Sequence, residues 1–138
     1  MQKSKVKSIG LFGGSFDPPH RGHLKISNIT IKKLELKKLY WTITRKNPFK
    51  KKSFFSLNER LLKCKKLINK QTKINVLYLE KKIKSSRTIK VLEYFKKKNK
   101  NYYIYLVIGS DNLINFHKWY NYKKILKICT LVVFPRKG

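Results

Sequence analysis

The residues best placed to do chemistry lie early in the chain, in Gly13-Gly14-Ser15-Phe16-Asp17-Pro18-Pro19-His20-Arg21-Gly22-His23. Two adjacent glycines let a backbone approach a ligand closely. Pro18 and Pro19 stiffen the turn and cannot continue a strand. His20 and His23 stand either side of Arg21-Gly22, where a helical pattern begins. A helix start offers free N–H groups and the positive end of the macrodipole, both attractive to phosphate. Two imidazoles there can both face a triphosphate and donate to oxygens that gain charge in a transition state. Each feature alone has a plainer reading, as a turn, a cap, surface histidines or metal ligands. No neighbouring Cys or third His supports zinc, so no metal site is assigned. Together, just after a strand, the features read as a phosphate site.

Those residues need elements to hold them. Val6 to Phe12 reads as a strand running into Gly13-Gly14. His23 to Leu34 reads as a helix with Ile26 and Ile29 on its apolar face. Leu39 to Thr44 is a second strand, followed by a basic loop from Arg45 to Ser53. Ser56 and Glu59 form an S-x-x-E capping box before a helix through Leu57, Leu61, Cys64 and Ile68. Ile74 to Leu79 is a third strand, and Thr88 to Lys98 a helix with Ile89, Leu92 and Phe95 inward. Tyr102 to Ile108 is a nearly continuous apolar and aromatic run, as expected of a strand covered on both faces. Trp119 to Lys127 reads as a helix and Thr130 to Phe134 as a fifth strand. This alternation predicts an α/β fold, a doubly wound parallel sheet of about five strands with helices on both faces. In such sheets ligands bind at the carboxyl ends of strands, where the strand order reverses.

The 138 residues suit a single domain spanning 1–138. Lys plus Arg total 35 against 6 for Asp plus Glu, giving a formal charge of +29. With 41% hydrophobic residues the chain can build a core, which argues against general disorder. A charge of this size suggests a nucleic-acid binder. The composition points elsewhere, because 30 Lys against 5 Arg, 14 Ile, 10 Asn and no Ala is the skew of AT-rich codons. The lysines are spread along the chain, and a dedicated binding face would mix in Arg for bidentate contacts. Nucleic acid is therefore not the expected partner. No apolar run is long enough to span a bilayer, so no membrane partner is expected. Cys64 and Cys129 sit far apart in apolar patterns and read as core residues of a chain in a reducing, cytoplasmic compartment. Oligomeric state is not legible.

The Gly13–His23 segment resembles the GG(S/T)FDPxHxGH signature of the nucleotidyltransferase superfamily. It is most similar to nicotinate-nucleotide adenylyltransferases of bacterial NAD synthesis, which have Rossmann-like sheets. The resemblance implies ATP and nicotinate mononucleotide as partners. It assigns catalytic contacts to His20 and His23, and ATP-phosphate contacts to Gly13, Gly14, Ser15, Phe16 and Lys50. Asp17, Gly22 and Gly109 would shape the loops.

A second group of residues bears on the acceptor. Ile108-Gly109-Ser110-Asp111-Asn112-Leu113, then Trp119-Tyr120, resembles the family's G-x-D-x-L followed by W-Y, where the tryptophan stacks on the nicotinate ring. By physics alone Trp119 could be core and Asp111 a helix N-cap. Asn47-Pro48-Phe49-Lys50 is similar to the family's loop at the mononucleotide and the ATP phosphates, though Lys50 adjoins two further lysines. Ser86-Arg87-Thr88 resembles an S-Y-T stretch that holds the nicotinate carboxylate. Arg87 replaces the usual aromatic, and a guanidinium plane can both stack on a ring and attract a carboxylate. The resemblance thus gives the mononucleotide Asn47, Arg87, Thr88, Asp111, Trp119 and Tyr120.

The implied reaction is in-line attack of the mononucleotide phosphate on the α-phosphorus of ATP, with Mg²⁺ bridging the phosphates largely through water. Arg136-Lys137-Gly138 is similar to the family's R-x-G, beyond which members carry an I-S-(S/T)-T-x-(I/V)-R motif at adenine and phosphate. The chain as given is therefore expected to lack that ATP-binding segment and to turn over weakly or not at all. Other expectations stay open: a different adenylyltransferase of the superfamily, a non-catalytic nucleotide-binding remnant, or a basic nucleic-acid-binding module.

Overall fold

The computed structural model describes residues 6–45 and 53–136. Five parallel strands form one sheet in the order β3-β2-β1-β4-β5. They are β1 (Ser8–Gly14), β2 (Lys38–Ile43), β3 (Ile74–Leu77), β4 (Tyr103–Gly109) and β5 (Thr130–Phe134). The chain winds outward from β1 to β3, then returns to β4 on the other side of β1. The order therefore reverses between β1 and β4, which opens a crevice at their carboxyl ends.

Side-chain alternation along the strands feeds two cores. Ile9, Leu11, Ile104, Leu106 and Ile108 point to one face, under α4 (Thr88–Lys98) and α6 (Tyr122–Ile128). There they meet Ile89, Leu92, Phe95 and Ile125. Phe12, Leu39, Trp41, Ile43 and Val107 point to the other face, under α1 (Arg21–Leu34) and α2 (Leu57–Leu67). Burying both faces of β1 and β4 is what their continuous apolar runs require. Cys64 and Cys129 are buried free thiols, pushed up to about 12 and about 11 by burial, so both are inert core residues.

Three expectations need correction. The first strand does not stop at Phe12. Gly13 and Gly14 stay in register with Thr42 and Ile43, and Thr44 N–H donates to Gly14 O at 2.9 Å. On α1 the buried residues are Ser27, Thr30 and Ile31, while Ile29 is 45% exposed. The helix tolerates hydroxyls inside because Ser27 and Thr30 donate to the carbonyls of His23 and Ile26 one turn back. Finally, no single helix runs from Trp119 to Lys127. A 3₁₀ turn covers Phe116–Lys118, Trp119 is extended, and Asn121 at φ 55° starts α6 at Tyr122. Two short helices, α3 (Glu80–Ile83) and α5 (Ser110–Leu113), carry too few residues to show a period in sequence.

Candidate active site

The site begins where β1 ends. Phe16, at φ 49°, turns the chain sharply after Ser15 and sends its ring into the core. A bulky residue in this region costs about 1–2 kcal/mol. The ring is repaid in burial, at 2% exposed, stacked on Trp41 with centroids 4.9 Å apart and edge-on to Phe12. The Phe16 side chain is therefore a core element, which leaves only its main chain to face a phosphate. Asp17 accepts the main-chain N–H groups of Phe54 and Phe55, tying the turn to the stretch ahead of α2.

His20 is the N-cap of α1, and its Nδ1 accepts Gly22 N–H at 3.0 Å. His23, in the first turn, accepts His20 N–H on its own Nδ1 at 3.1 Å. An Nδ1 that accepts a hydrogen bond carries no proton, so in its neutral form each ring holds its proton on Nε2. The two rings lie 4.0 Å apart. Gly22 is required beneath them, since a Cβ there would stand 2.8 Å from Cε1 and Nδ1 of His20. His23 also packs on Phe12 and Phe16. Burial first, then His20 and Arg136, push the His23 pKa down to about 4. Near neutral pH it is a neutral Nε2–H donor.

Beside this turn lies a cavity of about 480 Å³ over the carboxyl ends of β1, β2 and β4. Its floor includes Gly13, Gly14, Ser15 and Thr42 to Thr44. Ser86, Arg87 and Thr88, at the start of α4, form one wall, and Lys118, Trp119 and Tyr120 another. The guanidinium of Arg87 lies 3.8 Å above the Tyr120 ring, joining the two walls. Trp119 packs on Phe116 at 5.0 Å and is half-buried, so it serves the core and the cavity together. Arg87, Lys118 and the N-terminus of α4 make these walls cationic, with Glu80 the one carboxylate among the lining residues.

The structure thus brings Gly13, Gly14, Ser15, Arg87, Thr88, Trp119 and Tyr120 around one cavity, with His20 and His23 at the adjoining helix start. Asp111 is not in the cavity wall. It sits in the first turn of α5 and faces Arg136 at 3.8 Å, while its neighbour Asn112 lines the cavity. Gly109 is buried behind it, where a Cβ would meet Asp111 Oδ1 at 2.5 Å. Asn47 and Lys50 lie outside the described residues.

Sequence reasoning missed Arg60, Glu80, Thr44 and Asn112. Arg60 is 1% exposed and donates to four main-chain carbonyls, those of Ser15, Thr44, Arg45 and Phe55. A signal existed: Arg60 falls on the same helical face as Leu57 and Cys64, an arginine inside an apolar stripe. Among the described residues no group of three or more His, Cys, Asp or Glu could hold a metal ion. No helix among them is long and apolar enough to cross a membrane.

A parallel sheet with a histidine-capped helix after its first strand defines a nucleotide-binding class, and the comparisons agree. The cytidylyltransferase-like family model matches residues 11–137. A Pelagibacter ubique relative named "Probable nicotinate-nucleotide adenylyltransferase" is 48% identical over 97% of this chain and 74% of its own length. An Agrobacterium fabrum relative with the same name is 37% identical over 94% of this chain and 70% of its own length. The fold matches a Vibrio parahaemolyticus structure described as a "Putative Nicotinate-nucleotide Adenylyltransferase" at TM-score 0.79 and 23% identity, covering 96% of this chain and 79% of that one. A Plasmodium falciparum nicotinic acid mononucleotide adenylyltransferase structure matches at TM-score 0.73 and 21% identity, covering 96% and 76%. The chain belongs to the nicotinate-nucleotide adenylyltransferase family, within the cytidylyltransferase-like class.

Proposed function

We propose that the cavity takes nicotinate mononucleotide, that the His20–His23 turn takes the triphosphate of ATP, and that the chain transfers the adenylyl group between them. The observation that carries this is the meeting of Gly13–Ser15 with both places: these residues floor the cavity and lead directly into the histidine cap. A mononucleotide in the cavity, its ring against Trp119 and its carboxylate toward Arg87, would hold its phosphate over that floor. An acceptor phosphate oxygen then forms a bond to the α-phosphorus of ATP as the α–β bridging P–O bond breaks. The bridging electrons leave with pyrophosphate.

The acceptor is already an anion, so no general base is needed. What the chain supplies is position and charge balance. The Nε2–H donors of His20 and His23, neutral His23 among them, suit oxygens whose negative charge grows. ATP arrives with a divalent cation held by its own phosphates. The described donor set fits no resident ion, because Asp17 and Glu80 accept main-chain N–H groups and both histidine Nδ1 atoms are engaged.

The test is pyrophosphate release from ATP with nicotinate mononucleotide, nicotinamide mononucleotide and phosphopantetheine compared as acceptors. Release fastest with nicotinate mononucleotide supports the proposal. Release that ignores the acceptor, or none with any, counts against it.

A further inference from the structure

Two side chains, Arg60 and Glu80, grip the same short piece of backbone. Thr44 and Arg45 follow β2. Arg60 donates through Nη1 to Thr44 O at 2.7 Å and through Nη2 to Arg45 O at 2.6 Å. Glu80 takes the complementary groups, accepting Thr44 Oγ1–H at 2.6 Å and Arg45 N–H at 2.9 Å. Thr44 N–H goes to Gly14 O. The end of β2 is thus held on its carbonyls from beneath and on its donors from the cavity side, where Thr44 and Glu80 line the wall.

Arg60 reaches further than Glu80. The same Nη1 donates to Ser15 O at 2.9 Å, and Nε donates to Phe55 O at 3.1 Å. One rigid guanidinium therefore sets the separation of the Ser15 loop from the end of β2. Among the described residues its hydrogen-bonding shell is made of carbonyls, not a carboxylate. Lysine could not replace it, since a compact ammonium lacks the planar fork that spans these carbonyls.

We propose that Arg60 is a positioning residue for both nucleotide subsites, and that Glu80 is a positioning residue for the mononucleotide subsite alone. Arg60 acts through Ser15 on the phosphate loop and through Thr44 and Arg45 on the cavity. Glu80 acts only through Thr44 and Arg45. The assignment rests on the proposed placement of the two substrates.

A purely structural role predicts no such division, so the experiment measures each ligand separately. ATP and nicotinate mononucleotide are titrated calorimetrically into the wild-type chain, R60K and E80Q, with thermal melts alongside. R60K is expected to weaken both ligands about tenfold, as small displacements of site backbone do. E80Q keeps one of its two acceptor contacts and is expected to weaken nicotinate mononucleotide about tenfold while leaving ATP within about twofold. An R60K chain that keeps both Kd values within twofold assigns Arg60 to stability alone and overturns the proposal. If R60K does not fold, E80Q decides: an equal loss for both ligands, or no loss for either, also overturns it. A wild-type chain that binds both ligands yet transfers nothing refutes the proposed reaction while these ratios still judge Arg60. A wild-type chain that binds neither overturns both.

Discussion

His20 and His23 hold each other in place: His20 N–H donates to Nδ1 of His23 at 3.1 Å, and the rings stand 4.0 Å apart. An N-cap side chain ordinarily satisfies one orphan donor of a helix start. Here the two imidazoles satisfy the cap and the first turn through Nδ1 alone, leaving both Nε2–H groups for an anion. Capping chemistry and candidate phosphate chemistry use opposite edges of the same rings, so structure and function do not compete for atoms.

The titration of His23 gives the first prediction. Its folded pKa, about 4, lies below the ordinary 6.5, chiefly through burial. The unfolded chain therefore binds more protons between these values, and stability must rise with pH across that window. The contribution is fully present above 6.5 and is lost as pH falls toward 4. The melting temperature of the wild-type chain should drop more steeply from pH 6.5 to pH 4 than that of H23N, which has no titrating group there. Equal slopes would show that His23 is not held neutral by the fold.

Arg87 yields a prediction about selectivity. Its guanidinium stacks on Tyr120 at 3.8 Å within the cavity wall, leaving its edge N–H groups for a carboxylate. R87A is expected to raise the KM for nicotinate mononucleotide by about tenfold, the loss typical of a charge-assisted hydrogen bond. The KM for nicotinamide mononucleotide, which has no carboxylate, should move far less. A parallel rise for both acceptors would assign Arg87 to wall structure and not to reading the acid.

The indole of Trp41 supports the histidine turn from below. Trp41 is fully buried, and its Nε1–H donates to Ser27 Oγ at 2.8 Å. Ser27 Oγ–H in turn donates to His23 O at 2.7 Å. S27A leaves the indole N–H without that acceptor in an apolar setting, which should cost about 1–3 kcal/mol. W41F removes the donor and some volume together. In a double-mutant cycle by urea unfolding, the pair should couple by about 1 kcal/mol. Additive losses would mean the hydrogen bond carries no net stability.

How much of this could be read beforehand differs by kind of residue. Local patterns were legible: the α4 period through Ile89, Leu92 and Phe95 matches the buried stripe, and Ser56 caps α2 by accepting Glu59 N–H. So was the grouping of Gly13, Ser15, Arg87 and Trp119, because parallel topology brings strand ends to one edge. What was not legible depends on long-range partners. Phe16 reads as part of a loop motif, yet its ring is fixed by Trp41 on another strand. Arg60 acts on backbone carbonyls and Glu80 on a hydroxyl and a backbone N–H, long-range partners that sequence cannot distinguish. Asp111 and Asn112 are adjacent, and only the orientation of α5 puts Asn112 in the wall and Asp111 against Arg136.

Gly22 separates stability from turnover. A methyl group at this position would come within 2.8 Å of the His20 ring and push it off Gly22 N–H. Losing that cap should cost about 0.5–2 kcal/mol. Alanine also restores up to about 1 kcal/mol of helix propensity relative to glycine. The two terms nearly cancel, so the melting temperature of G22A should stay close to that of the wild-type chain. Turnover should not, because the displaced imidazole no longer points Nε2–H where the Nδ1 bond had fixed it. A fall in kcat of about 100-fold, the scale of misplaced catalytic groups, is expected. Adenylyl transfer at near wild-type rate by a fully folded G22A would show that the orientation of His20 is unimportant to the reaction. If G22A instead melts much lower, the methyl group has displaced more than one ring, and the cancellation argued here is wrong.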